Sequence, residues 1–229
     1  MNPVDKAISE RKTVKILAEK ELDCPEKWRE TVQELLAVAG MAPFHRACDP
    51  NHRESGALSG IEPWRFHILS PQTCRKLGPT LDPEKAGKIP KMLAAADCLL
   101  VATWLPNPSS ETLPAGQLFD ASLGNMEHIA AASSAIQNLL VAATIRGIRN
   151  YWSSGGILRE ATTFERLGIP QSEILLGAIF LFPHETGDAQ VAESKLRPKR
   201  TTQENWSRCV ELLAGGIQQD RRDAPEFRE

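Results

Sequence analysis

MEHIAAASSAIQNLLVAATIR, residues 126–146, is rich in Ala and Leu and nearly free of charge, and it predicts a helix of roughly six turns at 1.5 Å per residue. A helix that is apolar on every side has to be covered nearly all round. Ala130, Ala131, Ala132, Ser133, Ser134 and Ala135 let another backbone come close, so the segment reads either as the central helix of one core or as the interface helix of a dimer. One domain of this size supplies less cover than such a helix needs, which favours the interface.

Working outward from it, RNYWSSGG at 149–156 follows, then a short helix near 157–167 and a strand in EILLGAIFLFPH at 173–184. On the N-terminal side CLLVATW, 98–104, is continuously apolar, as a strand covered on both faces would be, and WRFHILS, 64–70, alternates as a half-buried strand does. Pro3 to about Arg11 predicts a short helix. Pro25 opens a second, in which Trp28, Val32, Leu35, Leu36 and Ala39 recur at helical spacing up to Gly40. Residues 44–60, FHRACDPNHRESGALSG, have no periodicity and carry Gly, Pro, Asn and Ser breaks, so they predict a long loop or lid. After KLRPKR, 195–200, an amphipathic helix with Trp206, Val210 and Leu213 is expected, then a frayed tail over 215–229. The pattern is α+β with one mixed or antiparallel sheet between helices, a single domain over 1–229.

Composition narrows the function. The 229 residues are 41% hydrophobic, enough for a real core, and 27 Lys and Arg balance 29 Asp and Glu, leaving a formal charge of -2. No global field draws nucleic acid or an anionic membrane, so any anion has to be bound locally. The five cysteines are odd in number and far apart, and MNPVDKAISERK has no apolar leader segment, which fits a reducing cytoplasm. The longest apolar run, CLLVATWL at 98–105, is far short of a membrane span.

Four segments could carry chemistry. In ERKTVK, 10–15, Arg11, Lys12 and Lys15 surround Thr13, and cations with a hydroxyl can grip a phosphate by charge-assisted hydrogen bonds; a solvated basic turn reads the same way. RPKR, 197–200, is a second cationic cluster, with Arg200 the residue to reach the same phosphate if the fold joins the chain ends. In EPWRF, 62–66, Pro63 fixes the approach and Trp64 begins a strand as a packing residue or a ligand contact. In NYWSSGG, 150–156, Ser154 and Gly155 leave backbone N–H groups free to face a flat ring, unless the glycines serve a simple turn. His45, Cys48 and His52 lie together in the 44–60 segment but lack a fourth ligand nearby, so no metal site is expected.

Taken in order, these pieces resemble the nitroreductase-like flavoproteins. Arg11 to Leu17 resembles the family's opening Arg-Arg-Ser-x-Arg/Lys motif, Gly60-Ile61-Glu62-Pro63-Trp64 its Asn-x-Gln-Pro-Trp stretch, and Ala135 to Ala143 its Ala-x-Gln-Asn-Leu-Leu-x-Ala-Ala helix. Gly147-Ile148 into Tyr151-Trp152 matches the turn and strand that follow, and Arg200 the C-terminal phosphate-binding arginine, so the likeness covers roughly 5–212. It implies an intertwined homodimer with two FMN sites at its interface, and NADH or NADPH reducing a small-molecule acceptor such as a nitroaromatic or quinone. By the same likeness Arg11, Lys12, Thr13 and Arg200 hold the FMN phosphate and Lys15 lies near the pyrimidine edge of the flavin. Ser154 and Gly155 lie beside N5, and Gly60, Pro63 and Trp64 form the facing segment; no side chain acts as nucleophile. Within the same resemblance stand specialised chemistries, reductive dehalogenation or flavin destruction, and a flavin-binding dimer without turnover. This chain departs from the pattern in having Gly60 for Asn, Phe44 where Ser is common, and a longer 44–60 stretch, which implies a remodelled substrate pocket.

Overall fold

The computed structural model describes residues 2–24, 26–54, 58–109 and 112–210. Along them run α1 (Pro3–Glu10), β1 (Val14–Leu17), α2 (Trp28–Ala39), α3 (Asn51–Glu54), β2 (Trp64–Leu69), α4 (Pro71–Leu77), α5 (Pro83–Ala86), α6 (Ile89–Ala95), β3 (Cys98–Trp104), α7 (Leu123–Ile145), β4 (Arg149–Ser153), α8 (Ala161–Leu167), β5 (Ile174–Phe182) and β6 (Gln190–Glu193).

The helix over 126–146 is α7, one turn longer at its start because Ser122 accepts from the Asn125 N–H and caps it there. It packs on α2 and the sheet through Ala131, Ala132, Ala135, Ile136, Leu139 and Leu140. Among the described residues it is a helix long and apolar enough to cross a bilayer, with mean hydropathy 1.3, and half of that window is buried inside the fold. No unbroken apolar run announces it, since Ser133, Ser134, Gln137 and Asn138 interrupt the pattern.

The central sheet has the order β2-β3-β5-β4. Every neighbouring pair is antiparallel, which settles the choice between a mixed and an antiparallel sheet that the sequence left open. The α7 crossover returns β4 in the same direction as β3, but β5 inserts between them and opposes both. All seven residues of β3 are buried, and its side chains alternate between two cores. Leu99 and Val101 meet α4, α6 and β1, while Cys98, Leu100, Ala102 and Trp104 meet α2 and α7. The edge strand β2 breaks the expected alternation. Ile68 is exposed and Arg65 buried, its guanidinium donating to the carbonyls of Gly60, Glu62 and Trp64, each at 2.8 Å.

β3 pairs with β5 in one register up to Ala102↔Gly177 and in another from Thr103↔Leu175, so Leu176 is the unpaired residue of a β-bulge. The bulge reverses which side of β5 faces which core: Leu175 lies with Ala178, Phe180 and Phe182, not opposite them.

The strands β1 and β6 were not legible in the sequence. They pair antiparallel, Val14↔Glu193 to Leu17↔Gln190, and so join the two ends of the chain. The 44–60 segment holds the single turn α3, and the amphipathic helix expected after Arg200 is absent over 201–210, where Trp206 and Val210 are exposed. Trp206 and Val210 are left uncovered by the described residues, and a helix without a packed apolar face lacks what stabilises helices of this kind. Pro25, Leu213 and the expected tail at 215–229 lie outside the described residues.

Candidate functional site

The β1–β6 pair and the Ser194 N–H, which donates to the Thr13 carbonyl at 3.2 Å, lay the 190s segment across the end of α1. Arg197 fixes it there, its guanidinium donating to the carbonyls of Ser9, Glu10 and Arg11 at the C-terminus of that helix, where free carbonyls and the helix dipole favour a cation. The consequence is a crowding of like charge. Burial first, then Arg200, then Arg197 push the Arg11 guanidinium below its usual pKa. Neither Arg11 nor Arg200 has a carboxylate partner among the described residues. Two neighbouring guanidiniums without an acid between them have the chemistry to be balanced by an anion.

Arg11 and Thr13 open into a cavity of about 440 Å³ whose other walls are Gln137 and Leu140 of α7, Trp152, Ser154, Arg159 and Leu176. The bulge shapes this wall. The Leu176 carbonyl, left out of the ladder, accepts from the Trp152 indole at 3.4 Å, and Trp152 crosses β5 where residue 177 has no side chain. A methyl on Gly177 would strike the indole. Gly155 is held at φ +103°, and a methyl there would strike Leu175. Its N–H donates to Ser153 Oγ at 3.2 Å, which corrects the expectation that this N–H is free to face a ring: the tight turn out of β4 spends it. Ser154 remains exposed, with its carbonyl accepting from Arg159 Nε.

The remaining expected residues fall elsewhere. Lys12 turns away to the surface, its Nζ 2.5 Å from the Glu193 carboxylate, because the strand pairing sets the two side by side; this corrects its placement on the anion. Lys15 lies over the Tyr151 ring at 4.7 Å, a cation–π contact that leaves it beside β4. Gly60 and Trp64 line a different cavity, with Gly40 and Leu36, and Pro63 is buried next to them. Within one chain they do not join Arg11 and Ser154. Asp49, Asn51 and His52 of the 44–60 segment line a third cavity, which shares Arg159 with the first and has Leu175 where the first has its neighbour Leu176. His52 Nε2 bonds the Pro106 carbonyl at 2.7 Å, and no cluster of three His, Cys, Asp or Glu able to hold a metal occurs among the described residues. Arg159 and Gln137 were missed by sequence reading, since nothing local distinguishes an arginine that folds back on carbonyls; Arg197 sat in the basic cluster already singled out.

No protein-family model matches this sequence, and no curated protein matches it. Solved structures do. A nitroreductase-like family protein from Bacillus cereus matches with TM-score 0.57 at 20% identity, over 94% of this chain and 98% of that one. A structure from Desulfovibrio desulfuricans in complex with FMN matches with TM-score 0.55 at 19% identity, over 94% and 99%. A nitroreductase with bound FMN from Desulfitobacterium hafniense matches with TM-score 0.55 at 16% identity, over 92% and 100%. The chain has the nitroreductase-like fold.

Proposed function

We propose that this chain is an FMN-dependent oxidoreductase that works as a homodimer in the cytoplasm. The observation that carries the reading is the pair of guanidiniums without a carboxylate partner among the described residues, Arg11 and Arg200, brought near each other by the joined chain ends, with Arg11 and Thr13 on a cavity edged by Ser154. They fit the phosphate of FMN. The Gly155 turn and the Trp152 indole give the cavity a flat-sided wall suited to a ring system. When bound, FMN would supply two-electron transfer from NADH or NADPH to an organic acceptor, a nitroaromatic or quinone, in two successive half-reactions with the donor leaving before the acceptor enters.

The protein's part is to bind, orient and exclude. Arg11, Thr13 and Arg200 hold the phosphate, and Lys15, kept in place by Tyr151, offers positive charge near the ring. Gly60, Pro63 and Trp64 reach such a site only from a second copy of the chain, since in their own Gly60 and Trp64 line another cavity and Pro63 is buried between them in sequence. An exposed apolar face is available for that copy: Leu123, Met126 and Ile145 of α7, with Val4 and Ile8 of α1, stand in solvent. Asp49, Asn51 and His52 on the neighbouring cavity support the 44–60 segment as a filter on the acceptor.

The purified protein should be yellow and bleach on adding NADH or NADPH. Arg11→Ala and Arg200→Ala should each weaken FMN binding about 10 to 100-fold, the value of a lost charge-assisted hydrogen bond, measured by flavin fluorescence titration. Protein that binds no FMN, or two variants that bind it as tightly as the parent, would overturn the reading; yellow protein that does not bleach would make it a flavin binder without turnover.

A further inference from the structure

The cavity shared by the 44–60 segment and the β5 entry, about 670 Å³, has a buried acid in its wall. Glu173 is 8% exposed, and its carboxylate is held through one oxygen only: His67 Nε2 of β2 lies 2.7 Å and Thr103 Oγ1 of β3 lies 2.5 Å from Oε2. Oε1 has no partner among the described residues and, unlike Asp97 Oδ1, is not sealed away, so it opens onto the cavity that Glu173 lines. Its partners inside the fold leave that oxygen as an acceptor for a donor in the cavity.

The rest of the wall sets the sign of that donor. A second carboxylate, Asp49, stands on the same cavity. The cation opposite, Arg159, is turned into the backbone, donating to the carbonyls of Leu175 at 2.7 Å and of Ser154. Leu118, Phe119 and Phe164 add apolar surface for a ligand body, and the uncharged amides Asn107 and Gln171 bring no further cation. We propose that this cavity binds a small organic cation, an ammonium or amidinium on an aromatic or aliphatic body, whose N–H groups donate to Glu173 Oε1. Binding at Glu173 does not depend on a flavin; only the further step, that Arg159, common to both walls, makes this the acceptor pocket, rests on the proposed function.

The test is isothermal titration calorimetry of the protein as purified, its flavin content read from absorbance, with benzamidine and its neutral counterpart benzamide as probes. Benzamidine should bind at least about tenfold more tightly, and Glu173→Gln should bring the two within about twofold. Leu118→Trp, which places a large ring on the exposed rim far from the hydrogen bonds of Glu173, should remove benzamidine binding. Equal binding of the two probes by the parent, or a preference that survives Glu173→Gln, overturns the proposal. If Glu173→Gln does not fold, Leu118→Trp decides alone, and unchanged benzamidine affinity in it overturns the proposal. Flavin-free protein that prefers benzamidine sinks the flavin reading and leaves the cation site standing; flavin-loaded protein without the preference does the reverse.

Discussion

At the scale of single residues the chain spends charge in two opposite ways. Arg197 and Arg200 are brought near Arg11, which stands on a cavity where an anion can relieve the like charge. Asp97, by contrast, is half-buried just before β3 with Oδ1 sealed from solvent and lacking a hydrogen-bond partner among the described residues, and desolvation raises its pKa from 3.8 to about 7, against the opposing pull of Arg75 and the bond to Cys24. The folded protein therefore holds a proton here that the unfolded chain has lost between about pH 4 and 7, so Asp97 subtracts stability as pH rises through that window and the full cost stands above it. Asp97→Asn removes the titration. Urea unfolding of variant and parent should show the variant gaining relative to the parent between pH 5 and pH 8, and an unchanged difference would place the cost elsewhere.

At the scale of elements the β3–β5 bulge does more for the site than any strand of regular register. It leaves the Leu176 carbonyl to Trp152, turns Leu175 toward Gly155, and sets Thr103 against Glu173. Gly177→Ala should cost about 1–3 kcal/mol, the usual penalty for overpacking, because the indole and not a flexible side-chain end must move. Thermal unfolding gives the loss, and altered tryptophan emission should accompany it; a variant as stable as the parent would mean that Trp152 repacks freely. Gly60 is the contrasting case, where a new side chain would meet the end of Glu62, which can swing aside. An Asn there is thus sterically open, and its absence is not forced by the fold of one chain.

At the scale of the whole molecule α7 is incompletely covered. One face lies on the sheet and α2, while Met126, half exposed, and Ile145 stand in solvent alongside Ala130 and Gln137. A homodimer closing over that face should bury more than roughly 2,000 Å², the range of obligate interfaces. Sedimentation velocity at micromolar concentration should give a dimer, and Ala130→Arg, on the exposed side of the helix, should yield monomers that release FMN. Monomeric parent protein that keeps its flavin would end the dimer model.

The sequence by itself determined what local pattern can encode. The extent of α7, the double-faced burial of β3, the helix ending at Gly40 and the basic clusters around Arg11 and Arg200 were all readable, because helix propensity and burial repeat over neighbouring residues. It also carried the order of motifs that resembles the nitroreductase-like proteins. Only the tertiary structure decided the rest. The four-residue strands β1 and β6 are too short to announce themselves and find each other across some 170 residues, yet their pairing creates the cation cluster and takes Lys12 out of it. Glu173, His67 and Thr103 come from three strands, and nothing near any one of them in the chain foretells the other two, since a buried acid is defined by the neighbours that the fold brings to it.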